Sequence, residues 1–354
     1  MKRYILVLLA LLAIAGLLLS VACVAPTPPT EVTPPPPTEE KPPEEVTPPP
    51  PTEEKPPEEV KPPPPAEEEL PTFPLTIVDD LGREIEIGKL PQRIISLAPS
   101  NTEILFALGL EDKVVGVTQY CNYPEAAKAK PRVAGYSTPD IEKVVSLEPE
   151  LVIAESIHEK TALPTLENVG LTFIVMSASS LDTVLRDITL VGQITGKSKA
   201  AAQLVDDLSG RIEAVTAKTE DLTPEERLRV LYVCWHDPIW TLGSETFIDD
   251  LIQKAGGANI FANDFKKSRV VSLEAVVDRN PQVIIVSSMG TMGNLVYNSI
   301  KTHPRLSAVE ATVNGRVYLI DGDLIERPGP RIVDGLEQVA KFIHPEIFGT
   351  PETE

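Results

Sequence analysis

The chain of 354 residues is poor in the groups from which most catalytic and metal sites are built. It has four histidines, at positions 158, 236, 303 and 344, and three cysteines, at 23, 121 and 234. None of these stand at the short spacings of a zinc site. The nucleophile elbow G-x-S-x-G, the zincin H-E-x-x-H and the dinucleotide fingerprint G-x-G-x-x-G are all missing. "GQITGKS" looks like a phosphate loop, but three residues separate Gly192 from Gly196 where four are needed, and no strand leads into it. Basic residues are outnumbered 32 to 52, for a net charge of −20, which argues against nucleic acid as a partner. Aromatic residues make up only 5% of the chain, so where they gather is informative.

Proline, by contrast, is plentiful and unevenly placed. Residues 24–72 hold 20 of the 36 prolines, and "EVTPPPPTEEKPPE" at 31–44 recurs at 45–58. Such a segment buries no core and favours polyproline II. At about 3.1 Å per residue it reaches on the order of 150 Å. Ahead of it, Lys2 and Arg3 precede an apolar run from Ile5 to Leu19, the layout of an export signal. The run ends in Ser20-Val21-Ala22-Cys23, which resembles the bacterial lipobox, in which the cysteine is lipidated. The expected organisation is a signal peptide (1–22), a tether (23–72) hung from a lipid on Cys23, and a folded part placed outside the cytoplasmic membrane.

In the folded part, short apolar runs alternate with helical patterns. "RIISLAP", "KVVGV", "ELVIAES" and "LTFIVMS" read as buried strands, and "DIEKVVSLEP" as a helix. Ser100 and Glu103 in "SNTE" have the spacing of a capping box at a helix start. This alternation predicts an α/β fold with parallel sheets. "IEKVVSLEPELVIA" (141–154) is echoed by "LEAVVDRNPQVIIV" (273–286) at a constant offset of 132, pairing Glu142 with Glu274 and Pro149 with Pro281. Two lobes on one plan follow, at 73–180 and 223–349. The connection at 181–222 is helical, with an amphipathic helix from 198 to 219.

Ligands of parallel α/β sheets sit beyond the carboxyl ends of strands. There the scarce rings collect: Tyr120 and Tyr123 after "KVVGV", Tyr136 in "AGYSTPD", and Trp235 and Trp240 in "WHDPIW" after "LRVLYVC". Rings so placed suit a flat, largely apolar ligand. His236 reads either as an axial metal ligand or as a hydrogen-bonding pocket residue.

"RIISLAPSNTEILFALGLEDKVVGVTQYCNYPEAA", "IEKVVSLEPELVIA", "GGANIF" and "ERPGPRI" together resemble the class III, cobalamin-type substrate-binding proteins of ABC importers, in order and over nearly all of 75–345. The resemblance implies two Rossmann-like lobes joined by one long helix, with ligand held between them and no catalysis. It implies a cobalt corrinoid as ligand, with a ferric siderophore or haem as the alternative; apart from the resemblance, an exported enzyme on the same plan, using His236 and Asp237, is a third reading. The candidate ligand contacts are Ser100, Tyr120, Tyr136, Trp235, His236, Trp240, Leu324 and Arg327. Leu324 stands where the cobalamin proteins offer a tryptophan. One glutamate on each lobe is expected to dock onto arginines of a permease dimer, and by position these are Glu142 and Glu326. A monomer is expected.

Overall fold

The computed structural model describes residues 70–288 and 292–351. The signal segment, Cys23 and all but the end of the tether lie outside the described residues. Among those described, no helix is long and apolar enough to cross a membrane.

The folded part opens with a hairpin of β1 (Leu75–Val78) and β2 (Glu84–Ile87). The first lobe then follows as β3 (Ile94–Ser96), α1 (Pro99–Ala107), β4 (Val114–Thr118), β5 (Arg132–Ala134), α2 (Ile141–Ser146), β6 (Leu151–Glu155), α3 (Leu163–Asn168) and β7 (Phe173–Met176). Its five strands pair in parallel in the order β5-β4-β3-β6-β7. Their apolar runs are buried on both faces, as a helix-covered parallel sheet requires.

Next come α4 (Leu181–Thr195) and α5 (Ser198–Thr216). Where the resemblance implied one long helix there are thus two, the longer beginning at Ser198. The break lies at Gly196, whose φ of 71° is the left-handed C-cap conformation that glycine adopts without strain. One turn earlier, a Cβ on Gly192 would stand 2.3 Å from Cβ of Ala201. Only glycine lets α4 and α5 pack so closely.

The second lobe contains β8 (Leu228–Val233), β9 (Trp235–His236), β10 (Ile239–Leu242), α6 (Phe247–Lys254), β11 (Gly257–Asn259), β12 (Ser268–Val271), α7 (Leu273–Arg279), β13 (Val283–Ser288), α8 (Gly293–Lys301), α9 (Glu310–Val313), β14 (Val317–Asp321), α10 (Gly322–Ile325), α11 (Ile332–Ile343) and α12 (Pro345–Phe348). Its main sheet is parallel, in the order β11-β8-β13-β14. A small antiparallel sheet, β12-β10-β9, hangs beyond the carboxyl end of β8. The sequence reading did not anticipate that sheet.

The internal echo is structural. α2 and α7 each begin behind a side-chain cap, from Asp140 to the Lys143 N–H and from Ser272 to the Ala275 N–H. Each buries one valine completely, Val144 and Val276. Each is followed closely by a residue with positive φ, Glu148 at 44° just past the C-cap of α2 and Asn280 at 45° as the C-cap of α7, also 132 positions apart. Each then feeds a strand flanked on both sides, β6 between β3 and β7, and β13 between β8 and β14. One contiguous apolar cluster includes Ile104 of the first lobe, Val191 and Leu208 of the helical pair, and Leu336 of the second.

Candidate functional site

The residues that sequence reasoning singled out fall beyond the carboxyl ends of the two sheets. Tyr120 and Tyr123 follow β4, and Tyr136 follows β5. Glu155 ends β6. In the other lobe Trp235 and His236 follow β8, while Leu324, Glu326 and Arg327 follow β14. Tyr120 and Tyr136 stand edge to face at 6.0 Å, with both rings left substantially exposed. Trp235 and Trp240 are register partners of β9 and β10, so they share one face of the small sheet. The Tyr136 phenol is held above its ordinary pKa by burial, then by the carboxylates Glu155 and Glu326. Arg327, after β14, donates to the Tyr120 carbonyl, after β4, at 3.3 Å, so the carboxyl ends of the two sheets face each other across the space between the lobes.

Glu326 does not project from the protein as a docking group should. It is half-buried, and its Oε1 accepts the Tyr232 hydroxyl at 2.7 Å and the Ser287 hydroxyl. Nothing among the described residues is paired with its Oε2. Burial, and then Glu326, push the nearby Cys234 thiol up to about 12. The Tyr232 hydroxyl is likewise held well above its usual range, chiefly by burial. Glu326 is therefore engaged within its own lobe, by the Tyr232 and Ser287 hydroxyls. The exposed partner of Glu142 is the glutamate 132 positions on, Glu274, which pairs with Arg305 at 2.5 Å on the surface. The sequence echo already aligned these two residues, and that signal outweighs the position of Glu326.

Three other expectations need correction. The "SNTE" stretch is not a capping box: α1 starts at Pro99, its N-cap is Ala98, and no side chain caps it. Ser100 is buried beneath the second lobe, where a Cβ on Gly329 would come within 3.3 Å of its carbonyl oxygen, so it serves the lobe contact. Glu103, only 3% exposed, is the residue sequence reasoning missed. It accepts from Arg331 through both oxygens, at 2.9 and 2.6 Å, and lies 3.7 Å from Arg327. Burial pushes its carboxyl up, against the pull of those two arginines. Arg327 itself is consumed: it pairs with Asp323 at 2.7 Å and donates to Asn122 Oδ1 at 2.5 Å and to the Tyr120 carbonyl at 3.3 Å. Asn122 closes the ring by donating to Asp323 at 2.8 Å.

Leu324 packs partly buried against the main apolar cluster and offers no ring. His236 lies 5.2 Å from the Trp235 ring, with its Nδ1 buried and without a hydrogen-bond partner among the described residues. The carboxylate–histidine pair that an enzyme would need is therefore not made through that nitrogen. Cys121 and Cys234 are free thiols. Among the described residues no cluster of histidine, cysteine and carboxylate groups could hold a metal ion. A recess of about 500 Å³ against Thr216, Arg227, Lys254 and Asn259 has no ring in its lining, and its Arg227 and Asn259 are already bonded within the lobe.

Residues 94–324 match the model of the periplasmic binding protein family. The chain is 34% identical over 284 residues to the ABC transporter substrate-binding lipoprotein YvrC of Bacillus subtilis, covering 78% of this chain and 87% of that one. The crystal structure of the periplasmic vitamin B12 binding protein BtuF of Vibrio cholerae superposes with a TM-score of 0.62 at 30% identity, over 72% of this chain and 97% of that one. The periplasmic heme-binding protein RhuT of Roseiflexus sp. RS-1, in apo form, gives 0.64 at 27%, over 72% and 98%. These likenesses place the folded part outside the cytoplasmic membrane. The chain belongs to the periplasmic binding protein family and is the substrate-binding protein of an ABC importer, of the cobalamin or iron-siderophore and haem type.

Proposed function

We propose that the ligand is a cobalt corrinoid, captured between the lobes by a protein anchored through lipid on Cys23. The observation that carries this reading is the state of the cleft charges. A haem or a ferric siderophore brings carboxylates or other anionic oxygens, which need free cations. Here both arginines of "ERPGPR" are already matched by Glu103, Asp323 and Asn122. Among the described residues, the groups that act on the Tyr136 phenol are the carboxylates Glu155 and Glu326 and the Tyr120 ring, with no cation among them. Carboxylates repel anions but accept hydrogen bonds from the amide side chains that fringe a corrin. Tyr120, Tyr136 and Trp240 supply the apolar faces, and Trp235 donates its indole N–H to the Asp237 carbonyl at 2.9 Å, which fixes its ring.

Isothermal titration with cyanocobalamin, dicyanocobinamide, haemin and a ferric hydroxamate tests the proposal. Micromolar or tighter binding of the two corrinoids alone supports it. Binding of haemin or the hydroxamate without the corrinoids overturns it.

For delivery we propose Glu142 and Glu274 as the permease contacts. Both are exposed, both lie in the first turn of equivalent helices, and one sits on each lobe. An interfacial charge pair that loses one member weakens by a few kcal/mol. Replacing both glutamates by alanine is expected to leave corrinoid affinity unchanged and to cut uptake at least tenfold. Glu326→Ala is expected to do the reverse at the binding step, weakening affinity. Uptake by the double variant equal to that of the unmodified protein rejects the docking assignment.

A further inference from the structure

The loop Glu326–Arg331 of the second lobe is seated on the first lobe, and its charged groups meet that lobe at several points. Arg331 clasps Glu103 of α1 with two hydrogen bonds, while its guanidinium lies 4.0 Å from the centroid of the Tyr123 ring. Arg327 reaches Asn122 and the Tyr120 carbonyl, and Asn122 reaches back to Asp323. Between these contacts Gly329 brings the two backbones together: a Cβ there would stand 3.4 Å from Cα of Ser100 and 3.5 Å from Glu103 Oε2. The first-lobe partners Tyr120, Asn122 and Tyr123 all lie on the loop after β4, which carries rings of the cleft. Arg327 is the chain neighbour of Glu326. One buried carboxylate thus ties together the two loops from opposite lobes that shape the ligand space.

We infer that Glu103 is a positioning residue for ligand capture. It does not touch ligand. It holds the Tyr120–Tyr123 loop and the Glu326–Arg331 loop in fixed register before the ligand arrives, so that the ligand meets a formed cleft. The physical basis is that a buried carboxylate and a partly buried guanidinium hold a bidentate geometry more tightly than a fully exposed pair does. Losing one partner leaves the other charge uncompensated and frees the loops that it anchored. The binding-competent arrangement is then a fraction of the population, and apparent affinity falls by that fraction.

The test uses the full chain and rests on the corrinoid reading only for its probe, cyanocobalamin. Glu103→Gln and Arg331→Met are made singly and together, with folding checked by near-ultraviolet circular dichroism. Each single variant is expected to bind cyanocobalamin about 10-fold more weakly, with no further loss in the double variant. In the ligand-free singles, amide hydrogen exchange across residues 118–124 and 322–331 is expected to speed up about 10-fold, and to return near the unmodified rate at saturating ligand. Additive losses in the double variant overturn the inference. So does lost affinity without faster exchange, faster exchange without lost affinity, or no change in either. If Arg331→Met fails to fold, Arg331→Lys keeps the charge but not the second hydrogen-bonding arm, and a smaller loss in the same pattern is expected. If the unmodified protein ignores cyanocobalamin, the corrinoid reading fails, while exchange in the ligand-free variants still decides whether Glu103 fixes the two loops.

Discussion

Among the described residues two bridges between the lobes stand out, and they differ in their chemistry: the helical pair is mainly apolar, with Arg211 adding ion pairs to Asp334 and Glu337, and the clasp at Glu103 is built on charge. The α4–α5 pair joins them through apolar packing, with Val191, Ile194, Ala201 and Leu208 buried in the cluster that runs through both lobes. The clasp at Glu103 joins them through a matched pair of charges, with the Arg331 guanidinium over the Tyr123 ring. Apolar packing is graded, because each contact adds a small non-directional increment. A buried charged pair is directional and depends on both partners. The helical bridge should therefore set how stable the protein is. The clasp should set how well its cleft is formed, with a smaller share of stability.

The largest effect is expected where the helical bridge has no slack. Gly192→Leu would force a side chain into the space of Ala201, and overpacking of this kind costs about 1–3 kcal/mol or more. A fall of several degrees in the melting temperature is expected, by differential scanning calorimetry, with the corrinoid affinity of the folded fraction retained. Affinity lost in step with stability would erase the distinction between the bridges.

A smaller effect is expected at Asp187, a charge on the wrong bridge. It lies on α4, almost fully buried, and its carboxyl is pushed up to about 7, first by burial and then by Asp80, with Arg186 pulling the other way. The unfolded value is about 4. The folded protein thus holds this proton more tightly than the unfolded chain does. The associated stability is fully present below about pH 4, is lost as pH rises, and is gone above about pH 7. Asp187→Asn, which removes the charge and keeps an acceptor for Arg186, should gain on the order of 1–2 kcal/mol at pH 8 and almost nothing at pH 4. Urea denaturation at the two pH values measures this. An equal gain at both would place the penalty elsewhere.

Sequence reasoning went furthest where the information is local. The buried strands "RIIS", "LVIA" and "FIVM", the helix from Ser198 and the repeated helix–turn–strand unit were all legible, because apolar period and turn chemistry are properties of adjacent residues. The rings at strand ends were legible because parallel sheets put function there. Glu103 was misread for the complementary reason. In sequence, S-x-x-E is a capping pattern; in the fold, its glutamate answers an arginine 228 positions away. No local signal reports such a pairing. Glu326 has equally remote partners: its neighbours in sequence are arginines, but its bonds go to Tyr232 and Ser287, on strands that only the sheet order brings beneath it.

The left-handed turn at Gly196 has a mechanical consequence. Leu70 lies against it, with a Cβ on that glycine only 2.9 Å from Leu70 Cδ2, followed by Leu90 at 3.2 Å. Leu70 thus rests at the turn between α4 and α5 and away from the cleft loops, so a force applied at Leu70 is felt first by the helical bridge.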